Sequence, residues 1–302
     1  MYLYHYGMHE LPFTLTPNTS FYCGLHGHDE ALEVLLTALK TGEGFIKVTG
    51  EVGTGKTLLC RKLLNELPDH FVTAYVPNPY LTPGELRQAV AMELGVGRAS
   101  LADQQQLTHQ LEQQLLEINR RGRTVVLILD EAQALPQESL EALRLLSNLE
   151  TESRKLVHLV LFGQPELDER LAGKDLRQLR QRIGFSYKLQ ALTEDQVAHY
   201  VSHRLHVAGY KGPALFSRRG LKLLHKASRG VPRLVNVLCH KSLMLGYGMG
   251  KHSIDHKMVR AAVRDTEDAS PTGLSHQWWL AAGVVFAGGL ASAAWALGWS
   301  GS

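Results

Sequence analysis

The chain has 302 residues, of which 44% are apolar and 20% are charged, a composition typical of a folded protein with more than one packed domain. Lys and Arg are interspersed with Asp and Glu and the formal net charge is only +3, so the composition gives no reason to expect nucleic acid as a main partner. The three cysteines, Cys23, Cys60 and Cys239, lie far apart, which argues against a disulfide framework or a zinc ribbon and favours a reducing compartment.

Residues 1–43 are predicted to form a turn-rich connector followed by a helix over about 27–40. We expect this segment to pack beside the glycine-rich loop that comes next in the chain. Two compatible interpretations remain open: the helix caps the following domain, or the segment forms one wall of a ligand pocket.

A glycine-rich loop lies between an apolar strand that starts at Phe45 and a helix-like run over 58–67. Its pattern is G-x-x-x-x-G-K-[ST], the Walker A motif. Glycines let the backbone wrap closely around phosphate oxygens, the lysine reaches the β- and γ-phosphates, and the threonine hydroxyl coordinates Mg²⁺. The predicted phosphate-binding residues are Gly50, Glu51, Val52, Gly53, Thr54, Gly55, Lys56 and Thr57.

Four further apolar runs alternate with helical patterns. The predicted strands cover 71–76, 124–129, 156–162 and 183–189, and the predicted helices between them cover 83–94, 101–119 and 137–149, with one more helical stretch around Leu171 to Leu179. This alternation predicts a three-layer α/β sandwich with a five-stranded parallel sheet over residues 44–190.

The predicted strand over 124–129 is apolar throughout, which is typical of a parallel strand buried on both faces, and it ends in Asp130 and Glu131. Open α/β sheets bind their ligands at this edge. Alone, the two acids fit a helix N-cap, but beside Lys56 and Thr57 they fit a catalytic site better. We therefore predict that Asp130 and Thr57 are Mg²⁺ ligands, that Glu131 is the base that polarises the attacking water, and that the cofactors are ATP and Mg²⁺.

Gln164 ends the next strand, where it can sense the γ-phosphate or hold the attacking water; the alternative is a turn residue before Pro165. Arg177, Arg180 and Arg182 precede the last strand, where a guanidinium can reach the nucleotide of a neighbouring subunit. The alternative for each arginine is a solvated basic helix face.

Residues 191–267 show four helical patterns and no strand, which predicts a separate all-helical lid domain. Arg233 begins one of these helices and can reach the γ-phosphate when the domains close, or it is ordinary surface charge.

A polar linker over 268–277 leads to an uncharged segment over 278–299, bracketed by tryptophans and long enough for a transmembrane helix. A surface-lying or partner-buried helix is the alternative. Basic residues precede the segment and none follows, so the positive-inside rule keeps the other domains in the cytoplasm.

These motifs together resemble the AAA+ ATPases of the general-secretion type known as ExeA or GspA, and among them most closely the ATPases of MSHA-type (type IV) pilus biogenesis. The resemblance covers residues 1 to about 267. Besides the glycine-rich loop, it is carried by Pro12-Phe13, Leu15-Thr16-Pro17-Asn18, Gly44-Phe45-Ile46, Asp130-Glu131-Ala132-Gln133, Gly163-Gln164-Pro165-Glu166-Leu167, Leu179-Arg180-Gln181-Arg182-Ile183 and Gly230-Val231-Pro232-Arg233-Leu234-Val235-Asn236.

The resemblance implies an ATPase whose nucleotide site lies at a subunit interface of a homo-oligomer. Gln164 would occupy the sensor-1 position, Arg182 would be the arginine finger acting in trans, and Arg233 would be sensor 2. It further implies an assembly factor for a pilus or secretion system, working with its inner-membrane components and without nucleic acid. The expected location is the cytoplasmic face of the bacterial inner membrane, with 278–299 as a single-pass anchor.

Two other functions remain open. The first is a DNA-stimulated ATPase of the transposition-helper or initiator kind, which a winged-helix module or a basic stripe would favour, and the sequence is interpreted as having neither. The second is a nucleotide-gated scaffold with little turnover, for which lid closure by Arg233 would suffice.

Overall fold

A computed structural model of the chain describes residues 2–77, 79–96, 104–150 and 155–269. The predicted membrane segment over 278–299 and nearly all of the linker before it lie outside the described residues, as does the predicted start of the helix over 101–119. Among the residues that are described, none of the helices combines the length and the apolar character needed to cross a membrane.

The centre of the fold is one five-stranded sheet in which every strand pair is parallel, which confirms the sheet predicted from the sequence. The strand order is β2-β3-β4-β1-β5. Because β1 lies between β4 and β5, the loops after β1, β3 and β4 come together at the carboxyl edge of the sheet. The strands are β1 Phe45–Gly50, β2 Phe71–Val76, β3 Thr124–Leu129, β4 Val157–Gly163 and β5 Phe185–Leu189.

Helices cover both faces of this sheet. On β3, Leu127 and Leu129 belong to one apolar cluster while Val126 and Ile128 belong to another, and all four side chains are fully buried. This alternation explains why the strand is apolar at every position after Thr124. The helices that precede or cover the sheet are α1 Tyr2–Tyr6, α2 His26–Lys40, α3 Lys56–Glu66, α4 Pro83–Glu93, α5 Gln104–Arg120, α6 Gln137–Leu146, α7 Pro165–Ala172 and α8 Arg177–Arg182.

Two predictions for the helices beside the sheet were wrong. The single helical stretch predicted around Leu171 to Leu179 is two short helices, because the backbone at Gly173 is extended and ends α7. Helix α6 ends at Leu146, three residues before the predicted end, where the N–H of Ser147 closes the last turn by donating to the carbonyl of Leu143.

Four more helices build an all-helical region: α9 Glu194–Val207, α10 Arg218–Ser228, α11 Pro232–Gly248 and α12 His256–Arg264. Thr193 caps α9 through a reciprocal pair of hydrogen bonds with Gln196. The carboxylate of Asp255 caps α12 by accepting from the N–H groups of Lys257 and Met258 at 2.9 and 3.0 Å. Helix α12 ends at Arg264, three residues before the predicted end of the helical domain at residue 267.

The part of the N-terminal segment before α2, residues 2–25, contributes to the core of this helical region. Its buried side chains pack there rather than on the sheet, and they include Tyr2, Tyr6, Met8, Phe13 and Phe21. The segment therefore runs from the helical region to the start of α2, along the boundary between the two cores.

Candidate active site

The loop between β1 and α3 is closely covered on two sides. Gly53 and Gly55 have φ angles of 81° and 101°, in the left-handed region that glycine adopts without strain. A Cβ at Gly55 would lie 2.8 Å from Nε2 of His28 on α2, and a Cβ at Gly53 would lie 2.6 Å from Cβ of Arg233 on α11. Both glycines are therefore required by the backbone angle and by the available space.

Lys56 is the first residue of α3 and is only 4% exposed. Its ammonium donates to the carbonyls of Gly50 and Glu51 at 2.7 and 2.9 Å. Burial lowers the pKa of Lys56, and the carboxylates of Glu131 and Asp130 oppose that shift. The ammonium of Lys56 therefore interacts electrostatically with both predicted site carboxylates, Glu131 and Asp130.

Asp130 follows β3 and is 2% exposed. Its carboxylate accepts hydrogen bonds from the hydroxyl of Thr57 and, at 3.0 Å, from the N–H of Glu131. Burial raises the pKa of Asp130, and these two hydrogen bonds act in the opposite direction. An adjacent hydroxyl and carboxylate provide the oxygen ligands that Mg²⁺ prefers when substrate phosphates complete its coordination, so the donor set fits this ion. Among the described residues, no group of three or more His, Cys, Asp or Glu forms a site that holds a metal by itself.

Glu131 has a left-handed backbone, with φ 54° and ψ 37°, and its side chain is held by two amides. Oε2 of Glu131 accepts from Nε2 of Gln133 at 2.6 Å and from Nε2 of Gln164 at 3.0 Å. Gln164 is fixed in turn as the residue before Pro165, at the start of α7. The carboxylate is therefore oriented by the ends of two neighbouring strands.

A cavity of about 310 Å³ lies between the carboxyl edge of the sheet and the helical region. It brings together most of the residues predicted from the sequence. The predicted site residues that line it are Val52, Gly53, Thr54, Gly55, Lys56, Thr57, Glu131, Gln164 and Arg233. Gly50, Glu51 and Asp130 are not among the lining residues, and the carbonyls of Gly50 and Glu51 accept from Lys56.

Arg233 connects the helical region to the loop. Its N–H donates to the carbonyl of Gly53 at 3.2 Å, and its exposed side chain lines the cavity. Pro232 precedes it at the first position of α11, where a missing N–H costs nothing. The position of α11 is therefore coupled directly to the backbone of the phosphate-binding loop.

The three arginines of α8 do not line this cavity. Arg177, Arg180 and Arg182 are all exposed, and Nη1 of Arg182 contacts the hydroxyl of Ser147 at 3.4 Å. A residue that acts on a neighbouring subunit's nucleotide would lie away from its own cavity, so the role of Arg182 in trans stays a prediction.

Arg204, a buried arginine on α9 that the sequence analysis missed, supports the wall of the cavity that the N-terminal segment forms. Nη1 of Arg204 donates to the hydroxyl of Tyr200 at 2.8 Å, and that hydroxyl donates to Asn236 of α11 at 3.1 Å. Asn236 donates to the carbonyl of Thr14 at 3.2 Å, and the guanidinium lies 4.7 Å from the ring of Phe21. The N-terminal segment is thereby fixed as a wall of the cavity, one of the two interpretations left open above.

His28 is a second residue that the sequence did not single out. Its Nε2 donates to the carbonyl of Thr54 at 2.9 Å, and burial lowers the pKa of the ring. A histidine inside a helical pattern carries no signal for such a contact, because the loop that it touches lies 26 positions away.

Comparison with known proteins agrees with this geometry. Residues 39–171 match a model of the AAA domain family. The fold is similar to that of Cdc6p from Pyrobaculum aerophilum (TM-score 0.65, 20% identity, 83% of this chain and 69% of that chain) and of Drosophila ORC bound to DNA (TM-score 0.63, 20% identity, 89% of this chain and 66% of that chain). The sheet order, the loop and the family match define an AAA-type P-loop protein.

A closer relationship extends over nearly the whole chain. General secretion pathway protein A of Aeromonas hydrophila is 39% identical over 299 residues, which are 99% of this chain and 54% of that protein. Residues 39–171 therefore form an AAA domain, and the chain is related to General secretion pathway protein A over nearly its whole length. It spans about half the length of that relative.

Proposed function

We propose that the chain binds ATP with Mg²⁺ and hydrolyses it to ADP and phosphate. The observation that supports this best is the Glu131 carboxylate, which two amides orient in the same cavity as Lys56 and Thr57. A protein that only binds nucleotide needs the loop and the lysine but no oriented base.

Each residue then has a defined task. The loop N–H groups and Lys56 bind the phosphate oxygens. Thr57 and Asp130 would hold Mg²⁺, which would supply positive charge to neutralise the phosphates. Glu131 accepts a proton from the attacking water, which Gln164 helps to orient.

Two arginines would complete the hydrolytic site. Arg233 would approach the γ-phosphate from the helical region, and Arg182 would do so from a neighbouring subunit of a homo-oligomer. A guanidinium at either position would stabilise the charge that develops during phosphoryl transfer.

Phosphate release with and without Mg²⁺ tests this function. We expect Mg²⁺-dependent turnover by the wild type and a loss of at least about 100-fold in Lys56→Ala, because the phosphates lose their main cationic partner. Lys40→Ala, at the exposed end of α2, is the matched control and should keep the wild-type rate. ATP binding with negligible turnover in the wild type would instead favour a nucleotide-gated scaffold.

We further propose that this ATPase is an assembly factor for an MSHA-type (type IV) pilus or a related secretion system at the cytoplasmic face of the bacterial inner membrane. The relationship to General secretion pathway protein A and the uncharged segment over 278–299 support this proposal. Membrane fractionation of the full chain and of a version ending at residue 277 tests it. Equal amounts of both in the membrane fraction would exclude an anchor at 278–299, and proteins that co-purify only with the full chain would identify the assembly.

A DNA-stimulated ATPase is a second candidate, and helix α10 favours it. Arg219, Lys222 and Lys226 are exposed on this helix at spacings of three, four and seven residues, with the exposed Arg218 next to Arg219, and the segment 217–230 has no acidic residue. The sequence analysis missed this stripe because charge was compared along the chain and not around a helix. Salt-sensitive stimulation of turnover by duplex DNA, lost in Arg219→Glu/Lys222→Glu, would support this function.

A further inference from the structure

The backbone of the turn after Glu131 is held by contacts that do not involve the side chain of Gln133. Ala132–Ala134 form a single 3₁₀ turn, closed by the N–H of Ala134 donating to the carbonyl of Glu131 at 2.8 Å. Arg170 of α7 donates to the backbone carbonyl of Gln133 at 2.6 Å, and Ala132 is fully buried. The backbone under Gln133 therefore does not depend on what the Gln133 side chain contacts.

Both polar atoms of the Gln133 side-chain amide form hydrogen bonds. Its Nε2 donates to Oε2 of Glu131 at 2.6 Å, and its Oε1 accepts from the N–H of Gln164 at 3.0 Å. The opposite amide orientation would place an NH₂ group against an N–H and an oxygen against a carboxylate, so the contacts assign the orientation. This position requires a side chain with a donor and an acceptor in the same plane.

The space around this amide is closely filled. A Cβ at Gly163 would lie 3.4 Å from Oε1 of Gln133 and 2.6 Å from a methyl group of Leu167. A Cβ at Gly163 would therefore clash with Leu167 of α7, whereas its distance to the amide would be an ordinary van der Waals contact.

The two carboxylate oxygens of Glu131 differ in their hydrogen bonds. Oε2 accepts both amides, from Gln133 and Gln164, whereas no hydrogen bond among the described residues reaches Oε1. Glu131 and Gln164 line the cavity, but Gln133 does not. Gln133 therefore holds the carboxylate from the side away from the cavity and leaves Oε1 available to a water molecule.

We infer that Gln133 is the positioning residue of this site: its amide fixes the carboxylate of Glu131 and the backbone of Gln164 in one arrangement, so that Oε1 of Glu131 is the oxygen that accepts the proton. The inference rests on the proposed ATP hydrolysis. Because Gln133 does not line the cavity, its loss should slow turnover without weakening nucleotide binding.

Two substitutions test this role. Gln133→Ala removes both hydrogen bonds, while Gln133→Glu keeps the shape and the acceptor for Gln164 but places a second carboxylate oxygen against Glu131. We expect kcat to fall about 10- to 100-fold in both variants, with the KM for ATP and the Kd of a fluorescent ATP analogue within about twofold of the wild type, because a misplaced base affects the chemical step alone. Gln190→Ala, an exposed glutamine outside the cavity, is the control and should behave as the wild type.

The outcomes separate the two hypotheses. If Glu131→Gln keeps the wild-type turnover, the proposed function is wrong. If Glu131→Gln abolishes turnover but both Gln133 variants keep kcat within about twofold, or raise KM as much as they lower kcat, then the positioning role is wrong while the hydrolysis stands. Should Gln133→Ala fail to fold, the isosteric Gln133→Glu decides.

Discussion

At the scale of single residues, the site depends on buried charges that stabilise one another. Lys56 and Asp130 are both nearly inaccessible, and burial shifts the pKa of each towards its neutral form. Hydrogen bonds from Thr57 and Glu131 oppose that shift at Asp130, and the carboxylates oppose it at Lys56. Either charge buried alone would destabilise the fold, so the positive and the negative group occur together with their partners.

Asp130→Asn tests the assignment of the metal ligand. We expect the Mg²⁺ concentration needed for half-maximal turnover to rise at least about tenfold, since an amide oxygen is a weaker ligand than a carboxylate, while ATP binding without Mg²⁺ changes little. Titrating Mg²⁺ in a phosphate-release assay measures this change. Asp69→Asn, in an exposed turn, is the matched control. An unchanged Mg²⁺ requirement in Asp130→Asn would show that this carboxylate does not hold the ion.

At the scale of elements, short contacts connect the helical region to the phosphate-binding loop and connect its own helices to one another. The N–H of Arg233 at the start of α11 donates to the loop at Gly53. Just before α11, the carbonyl of Gly230 accepts from the N–H of Leu192, the residue that leads into α9. Movement of these helices would therefore change the shape of the phosphate-binding loop.

Gly230→Ala tests the second of these contacts. Gly230 has a φ of 73°, and a Cβ there would lie 2.1 Å from the carbonyl oxygen of Leu192. Gly250 has a φ of 63° and open space around it, so Gly250→Ala carries the same backbone strain without the clash. We expect Gly250→Ala to cost about 1 kcal/mol of unfolding free energy and Gly230→Ala about 1–3 kcal/mol more, measured by chemical denaturation. Equal losses in the two variants would mean that the contact at Leu192 is not close in solution.

Sequence patterns predicted elements better than contacts between them. The parallel sheet follows from alternation of strands and helices, and the loop and Asp130 from motifs that are continuous in the chain. His28 and Arg204 could not be predicted, because the carbonyls that they bind, of Thr54 and of Pro12, lie 26 and 192 positions away and depend on how the two cores meet. Gln133 stood in a motif that was recognised, but only the turn after Glu131 shows that its side chain folds back onto the acid.

At the scale of the whole molecule, buried histidines link stability to pH. Burial lowers the pKa of His28 and of His158 below the ordinary value of 6.5, and each ring nitrogen faces a backbone carbonyl. The unfolded chain therefore binds protons below about pH 6.5 that the folded chain does not, so unfolding free energy decreases as pH falls through that value.

The variant His28→Gln/His158→Asn removes both titrating rings. In each case the amide can donate from the place of the ring nitrogen that faces a carbonyl. We expect the unfolding free energy of this variant to decrease less between pH 7 and pH 5 than that of the wild type. The exposed His109→Gln is the control, and a variant whose pH dependence equals that of the wild type would contradict the explanation.

The assignment of a hydrolytic site, rather than a nucleotide-binding site alone, depends most directly on Glu131. The decisive measurement compares wild type and Glu131→Gln for ATP binding and for phosphate release at saturating Mg²⁺-ATP. Glutamine keeps the shape of the side chain but cannot accept the proton, so binding should stay within about twofold while turnover falls by at least about 100-fold. Turnover by Glu131→Gln at the wild-type rate would contradict the assignment of the base.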